Sequence, residues 1–555
     1  MTADKLRLVL CWHMHQPQYR DALDGAYLRP WTWLHGIKDY SDMAAHLETV
    51  PGARAVVNFS TILLQQLSDY AERIARWKDE GAPIGDPLLD ALAGRTFLSD
   101  SEKLKLTEAC LHANEVHMIG AFPPFASLIA RAKTSLEQES PLDDQTFRDL
   151  LVWYPLAWTG ESLRREFPML RGLLQKAEGF SGEDARQFLL LIGEVLAGLI
   201  PRYRKLGESG RVELSLTPHA HPILPLLMDI ASARDAMPAV TLPDCRYPGG
   251  EGRCRWHIER SLAVFEQYFG VRPRGCWPSE GGVSEAVLPL LGDYGFAWTA
   301  TGTNVLRNSI GKAAENAHLQ MWHESRGKES IACFFRDDEL SDRIGFQYAR
   351  WGAEDAVNDF IARLEVIRHD WKGSTPPVVS IIMDGENAWE HFPYNAWFFL
   401  RHLYSRLVQH PHIDLTTFSA LLGDGWDAGE LPHLVAGSWV YGDFSVWIGD
   451  PQKNRAWELL CAAKRAVDRV LGQEQGRDRE AILEQLGICE ASDWFWWLGG
   501  GNTAEDSAAF DSLFREHLMA LYRLLGEAPP GDLAMSGALA SSKEGAEGAM
   551  RRANR

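Results

Sequence analysis

Four short stretches of the chain place residues suited to bond-breaking chemistry just past apolar runs. Residues 6–17 read LRLVLCWHMHQP, so a buried run ends in His13, His15 and Gln16. Residues 212–222, VELSLTPHAHP, repeat the arrangement with His219 and His221. Strand side chains alternate, so a His-x-His pair at a strand end puts both imidazoles on one side. Such a pair can be a metal half-site, a clamp for sugar hydroxyls, or two packed core histidines. In the third stretch, CWPSEGGVSEAV, Glu280 stands between Trp277 and a double glycine, where the backbone can approach a ligand closely. In the fourth, VVSIIMDGENAWEHFP, a nearly all-apolar run delivers Asp384, and an ionised carboxylate there is costly unless it is paired or employed. Glu386 and Glu390 are its rivals, expected on the following turn as ligand contacts or solvated charges. A Glu and an Asp at two strand mouths are the pair that glycosidic-bond cleavage uses, one carboxyl attacking while the other manages the proton. Trp12, Trp277, Trp389 and the run SDWFWWLGG (492–500) offer flat faces for stacking on sugar rings.

These residues need a scaffold that brings strand ends together. Short apolar runs alternate with longer amphipathic segments, the pattern of β/α units. Candidate strands are 6–12, 55–59, 212–216, 296–299 and 378–383, several of them apolar at both alternating positions, as strands covered on both faces should be. Ligands of parallel α/β sheets bind beyond the carboxyl ends of strands, where the histidines and carboxylates fall. Residues 60–205 read as a long helical insertion. Beyond about residue 395 the spacing of WFFLRHLYSRLVQ, NRAWELLCAAKRAVDRVLG and DSAAFDSLFREHLMALYRLLG predicts a helical domain. The Gly-, Ala-, Ser- and charge-rich stretch 528–555 is expected to be disordered.

Composition narrows the partners. A formal charge of −19 argues against nucleic acid, whose phosphates demand a basic surface, and is compatible with a neutral ligand. No apolar run reaches membrane-spanning length, and MTADKLRLVLCWHMH lacks the layout of a secretion signal, so a cytoplasmic protein is expected. The eight cysteines form no CxxC pair and read as buried free thiols. No cofactor and no metal are called for, and the charge names no protein partner.

Taken in order, HMHQP (13–17), HAHP (219–222), WPSEGGVS (277–284), MDGENAWE (383–390) and SDWFWW (492–497) resemble the motif series of glycoside hydrolase family 57. FFRDDELSDRIGFQY (334–348) and GSWVYGDFSVWIGDPQKNRAWELL (437–460) resemble further segments of its amylase-like members. The resemblance spans about residues 6 to 525. It implies an α/β fold, an incomplete (β/α)7 barrel over residues 1–395, followed by a C-terminal helical bundle over 396–527 that helps form the cleft. It also implies retaining chemistry on α-linked glucans or maltooligosaccharides, with Glu280 as nucleophile and Asp384 as general acid/base. His13, His15, Gln16, His221, Trp277 and Asp337 then fall in the sugar-binding pocket, and Asp493 and Trp494 in the final motif. The charge on Glu280 would keep Asp384 protonated until a covalent ester forms. α-Amylase or amylopullulanase activity is the leading expectation, with 4-α-glucanotransferase or branching enzyme as the near alternative. A metal-dependent deacetylase or mannosidase and a silent glucan binder are the remote ones.

Overall fold

Leu6–Met14 (β1) is buried along its whole length, the condition of a strand covered on both faces. It is joined by Ala55–Ser60 (β2), Val212–Thr217 (β3), Gly275–Cys276 (β4), Trp298–Gly302 (β5), Ile331–Arg336 (β6) and Val378–Asp384 (β7). In space the strands follow the order β6-β5-β4-β3-β2-β1-β7, and all of these pairings are parallel. The ring closes between β6 and β7 through one register pair, Arg336 with Ser380. Two hydrogen bonds hold that seam: Asp337 N–H donates to Ser380 O at 2.7 Å, and Arg336 Nε to Ile382 O at 2.8 Å. The result is a seven-stranded α/β barrel with one thin seam. This computed structural model describes residues 5–94, 98–311, 316–324, 330–423, 428–473, 477–533 and 550–553.

Alternation along the strands divides the apolar side chains between two clusters. Val9 and Cys11 of β1, Val56 of β2, Trp298 and Ala300 of β5, Phe334 of β6 and Ile382 of β7 pack together with Phe418 and Leu421, filling the ring. The intervening Leu8, Leu10 and Trp12 join the larger cluster beneath the helices. The next inward positions after Cys11, Val56 and Ile382 are His13, Asn58 and Asp384. Register sets His13 beside both Asn58 and Asp384. The polar mouth is therefore the last layer of an otherwise apolar filling.

Between β2 and β3 the described residues contain helices and loops and no strand, with the long helices Thr61–Glu80 and Gly182–Glu208 packed on each other. The division expected at residue 395 does not coincide with the end of the sheet. Ile413–Thr416 pairs in parallel with the N-terminal half of β1, and Phe418 and Leu421 plug the barrel. Trp397–Val408, read as a bundle helix from its apolar spacing, packs on the helix Ala353–Asp370 beside the barrel. The terminal helices are Pro451–Gln473, Arg479–Cys489, Ser492–Trp497 and Ala504–Leu524. Part of the stretch expected to be disordered is ordered. Gly531–Leu533 forms a helical turn and Met550–Ala553 packs on the barrel mouth, because Ala553 and Arg551 find partners that local composition does not reveal. Residues 534–549 lie outside the described residues. Among the described residues no helix is long and apolar enough to cross a membrane, and the eight cysteines are free.

Candidate active site

The strand-end histidines form a stack. His15 and His221 lie face to face with ring centroids 3.8 Å apart and planes 12° from parallel, and His13 sits 5.1 Å from His221. Each ring is held at both nitrogens. His13 shares hydrogen bonds with Asn58 Oδ1 (2.7 Å) and His221 Nε2 (3.1 Å). His15 is held by Ser60 Oγ (2.7 Å) and Asp493 Oδ1 (3.0 Å), and His221 Nδ1 by Ser492 Oγ (2.7 Å). Burial, with the neighbouring imidazoles, pushes His13 down to about 3 and His221 well below the usual range, so both are neutral at pH 7. The stack thus fixes rings in one tautomeric chain running from β2 to the helix Ser492–Trp497.

Two of the site residues occupy left-handed backbone. His221 (φ 64°) follows Ala220 (φ 57°) just past β3, and Glu280 (φ 57°) precedes Gly281 (φ 59°) just past β4. Such conformations disfavour residues with a Cβ and persist only when surroundings enforce them. At Glu280 they do: its carbonyl accepts from Trp439 N–H at 3.0 Å, and Val283 and Gly437 exchange two backbone hydrogen bonds beside it. A Cβ on Gly281 would sit 2.8 Å from the Trp277 ring, so this glycine is required by close packing as well as by its φ. The turn aims the Glu280 carboxylate inward, where Oε2 accepts a hydrogen bond from Trp439 Nε1 at 2.9 Å.

Asp384 ends β7 and lines the same cavity, accepting from Asn387 Nδ2 at 3.0 Å. Burial raises both carboxyls. Glu280 is pushed to about 8, first by desolvation and then by the charge of Asp384, while the Trp439 hydrogen bond pulls the other way. Asp384 is pushed to about 6 by burial, tempered by Asn387, His15 and Arg336. Glu386, also on the cavity, is raised well above the usual carboxylate range by burial and by Asp384, and its Oε2 is buried without a hydrogen-bond partner among the described residues.

The cavity holds about 280 Å³, near the lower end of the ~300–1,000 Å³ range of small-molecule sites. His13, His15, Gln16, His221, Glu280, Asp384 and Asp493 all face it. Its far walls are aromatic: Tyr19, Trp31, Trp439, Trp496 and Trp497. Arg336 lies 5.3 Å over the Trp439 ring while bonding Asp338 and Asp342, each at 2.9 Å. Two carboxyls, fixed imidazoles and aromatic side chains thus line one cavity.

The sequence profile of glycosyl hydrolase family 57 matches residues 9–425, most of the barrel. The chain belongs to glycosyl hydrolase family 57. Solved structures share the fold at low identity. A family 57 branching enzyme from Thermococcus kodakaraensis is 16% identical with a TM-score of 0.57, covering 98% of each chain. The α-amylase AmyC from Thermotoga maritima is 12% identical with a TM-score of 0.56, covering 95% of each. A 4-α-glucanotransferase from Thermococcus litoralis is 12% identical with a TM-score of 0.54, covering 94% of this chain and 60% of its own. No curated protein matches the chain in sequence.

Within this family 57 barrel several expected sugar contacts lie elsewhere. Trp277 is fully buried under Glu280, edge-on to Trp439, and forms the floor. Asp337 caps the helix Asp338–Phe346, accepting from Leu340 N–H at 2.9 Å, and does not line the cavity. Trp389 is buried against Trp12 and donates to Gly385 O, while Trp494 is buried on Phe514 and donates to Ile488 O. The Trp389 and Trp494 indoles spend their N–H groups on backbone carbonyls inside the fold. His219, the partner of His221 in its motif, bonds Glu484 at 2.7 Å and is structural. Cavity residues that sequence reasoning missed include Tyr19, Trp31, Arg336, Trp439 and Arg551. Arg336 stands directly before Asp337 and Trp439 inside the segment 437–460, so the signal was present at one remove. Among the described residues, His15, His221 and Asp493 form the group of metal-ligand type, with ligand atoms within 4.8 Å of one another. Stacked, nearly parallel imidazoles direct their lone pairs side by side, whereas a zinc ion needs donors converging at ~2.0–2.1 Å.

Proposed function

We propose that this enzyme acts on α-linked glucans with retention of configuration, Glu280 forming the covalent glycosyl ester and Asp384 acting as general acid and then general base. The observation that carries the reading is that Glu280 and Asp384, delivered by separate strands, face one cavity closely enough for the charge of one to shift the other. A retaining pair is expected at ~5–5.5 Å. Near neutral pH the two carboxyls hold about one proton between them, and the pair titrates as a unit. A glycosidic oxygen set against Asp384 accepts a hydrogen bond only from the protonated acid, so bound substrate holds the shared proton on Asp384, while the Trp439 N–H stabilises the Glu280 anion. Attack on the anomeric carbon breaks the bond to the leaving oxygen as Asp384 donates its proton. The ester removes the negative charge of Glu280, and Asp384, now ionised, deprotonates the incoming water.

Hydrolysis of α-1,4 links is the favoured outcome. Transfer to a sugar hydroxyl is the second reading, favoured by the walls Trp31, Trp496 and Trp497, which can seat an acceptor ring and exclude water. Product analysis on amylose, pullulan and short maltooligosaccharides, with and without chelator, tests both. Only shorter products mean hydrolysis, longer ones mean transfer, and new α-1,6 branch points mean branching. Absence of any product from all three sets the reading aside, and loss of activity in chelator with rescue by zinc would replace it.

A further inference from the structure

We infer that residues Met550–Ala553 form a strap that walls off one side of the substrate cavity, and that Arg551 in it selects short glucan chains over long ones; the inference rests on the function proposed above. The strap is anchored on three barrel-top elements. Ala553 N–H donates to Asp342 Oδ2 at 2.9 Å, and its carbonyl accepts from Tyr441 N–H (2.9 Å) and Asn304 Nδ2 (3.0 Å). Ala553 is 2% exposed, so the anchor is a packed contact. Arg552 lies 5.4 Å over the Phe346 ring. On the opposite side Arg551 reaches the terminal helical region, donating to Asn502 Oδ1 at 3.2 Å with its guanidinium 4.9 Å over the Trp496 ring. The strap thus ties barrel to bundle across the mouth, and Met550, Arg551 and Ala553 line the cavity.

Two consequences follow from where Arg551 sits. A guanidinium over Trp496 covers an aromatic face on which a further glucose unit would otherwise stack. Its Nη2 is spent on Asn502, which holds the guanidinium in that position. Its positive charge also favours the Glu280 anion. Together these features end the cleft at this wall.

The test compares kcat/KM on amylose and on maltotetraose in the full-length enzyme and two variants. Arg551→Ala uncovers Trp496. Ala553→Pro keeps Arg551 but deletes the N–H that anchors the strap to Asp342. Both are expected to raise the amylose-to-maltotetraose ratio by about tenfold, the scale of one gained or lost contact in an apolar subsite. The Arg551→Ala enzyme should show this gain chiefly as a lower KM for amylose, with kcat less affected. An unchanged ratio, a ratio that falls, or an equal loss on both substrates would overturn the inference. If the parent enzyme makes no product from either glucan, the proposed function fails first; if the parent acts and the ratio holds, only the strap's role fails.

Discussion

The floor of the cavity and its walls are built by different parts of the molecule. The floor comes from strand ends: His13, Asn58, Glu280 and Asp384 are set by register, alternation and two left-handed turns, and each is held by at least one side-chain hydrogen bond. The walls come from the loop around Trp439, the helix Ser492–Trp497 and the strap, joined to the floor by a few long-range contacts. Rigid strand ends suit residues that must hold sub-ångström geometry for bond making, and loops suit residues that choose among substrates. The difference assigns chemistry to the floor and selection to the walls.

Substitutions can break that division. The largest effect is expected at the floor: Glu280→Gln should abolish turnover in a steady-state assay while the protein stays folded. Burial raises the Glu280 pKa to about 8, so charging it between its unfolded value near 4.5 and pH 8 opposes folding. The amide has no charge to bury, so the variant should melt several degrees higher at pH 7–8 and not at pH 4, as calorimetry would show. Asp384→Asn should lower kcat by ~10²–10⁴, with less loss on substrates whose leaving group needs no proton. The pH profile of kcat/KM should be a bell with limbs near about 6 and about 8, failing below for want of an anion and above for want of a proton.

Smaller effects probe the boundary between floor and wall. Trp439→Phe keeps the ring and removes the donor to Glu280, so the alkaline limb should move upward and kcat/KM should drop by about tenfold, near the loss expected for one hydrogen bond to a charged group. Asp337→Ala should leave KM and kcat within about twofold but lower stability by ~0.5–2 kcal/mol, because it removes a helix cap rather than a sugar contact. A large KM increase in that variant would return Asp337 to the pocket.

The floor was legible in the sequence because strand chemistry is local. An apolar run followed by His-x-His, or by Asp, states both the strand and the residue at its end. The seven-stranded ring followed from the family's motif order, although β4, two residues long, is too short to show a period. The walls were read less well. Trp277, Trp389 and Trp494 looked like stacking surfaces because an indole face and an indole core filler have the same sequence signature; the fold buries all three. Trp496 and Trp497, singled out beside glycines, do face the cavity. Ile413–Thr416 was hidden in a stretch read as helical because β1 recruits it from far along the chain. Arg551 was invisible, since its partners Asn502 and Trp496 are defined only by the fold.

Trapping the covalent intermediate tests the central claim most directly. A 5-fluoro-α-glucosyl fluoride should inactivate the enzyme with a mass increase of one fluoroglucosyl unit, and peptide mapping should place that unit on Glu280. Labelling of Asp384 or Glu386 instead, or turnover of the reagent to product of inverted configuration with no adduct, would contradict the account.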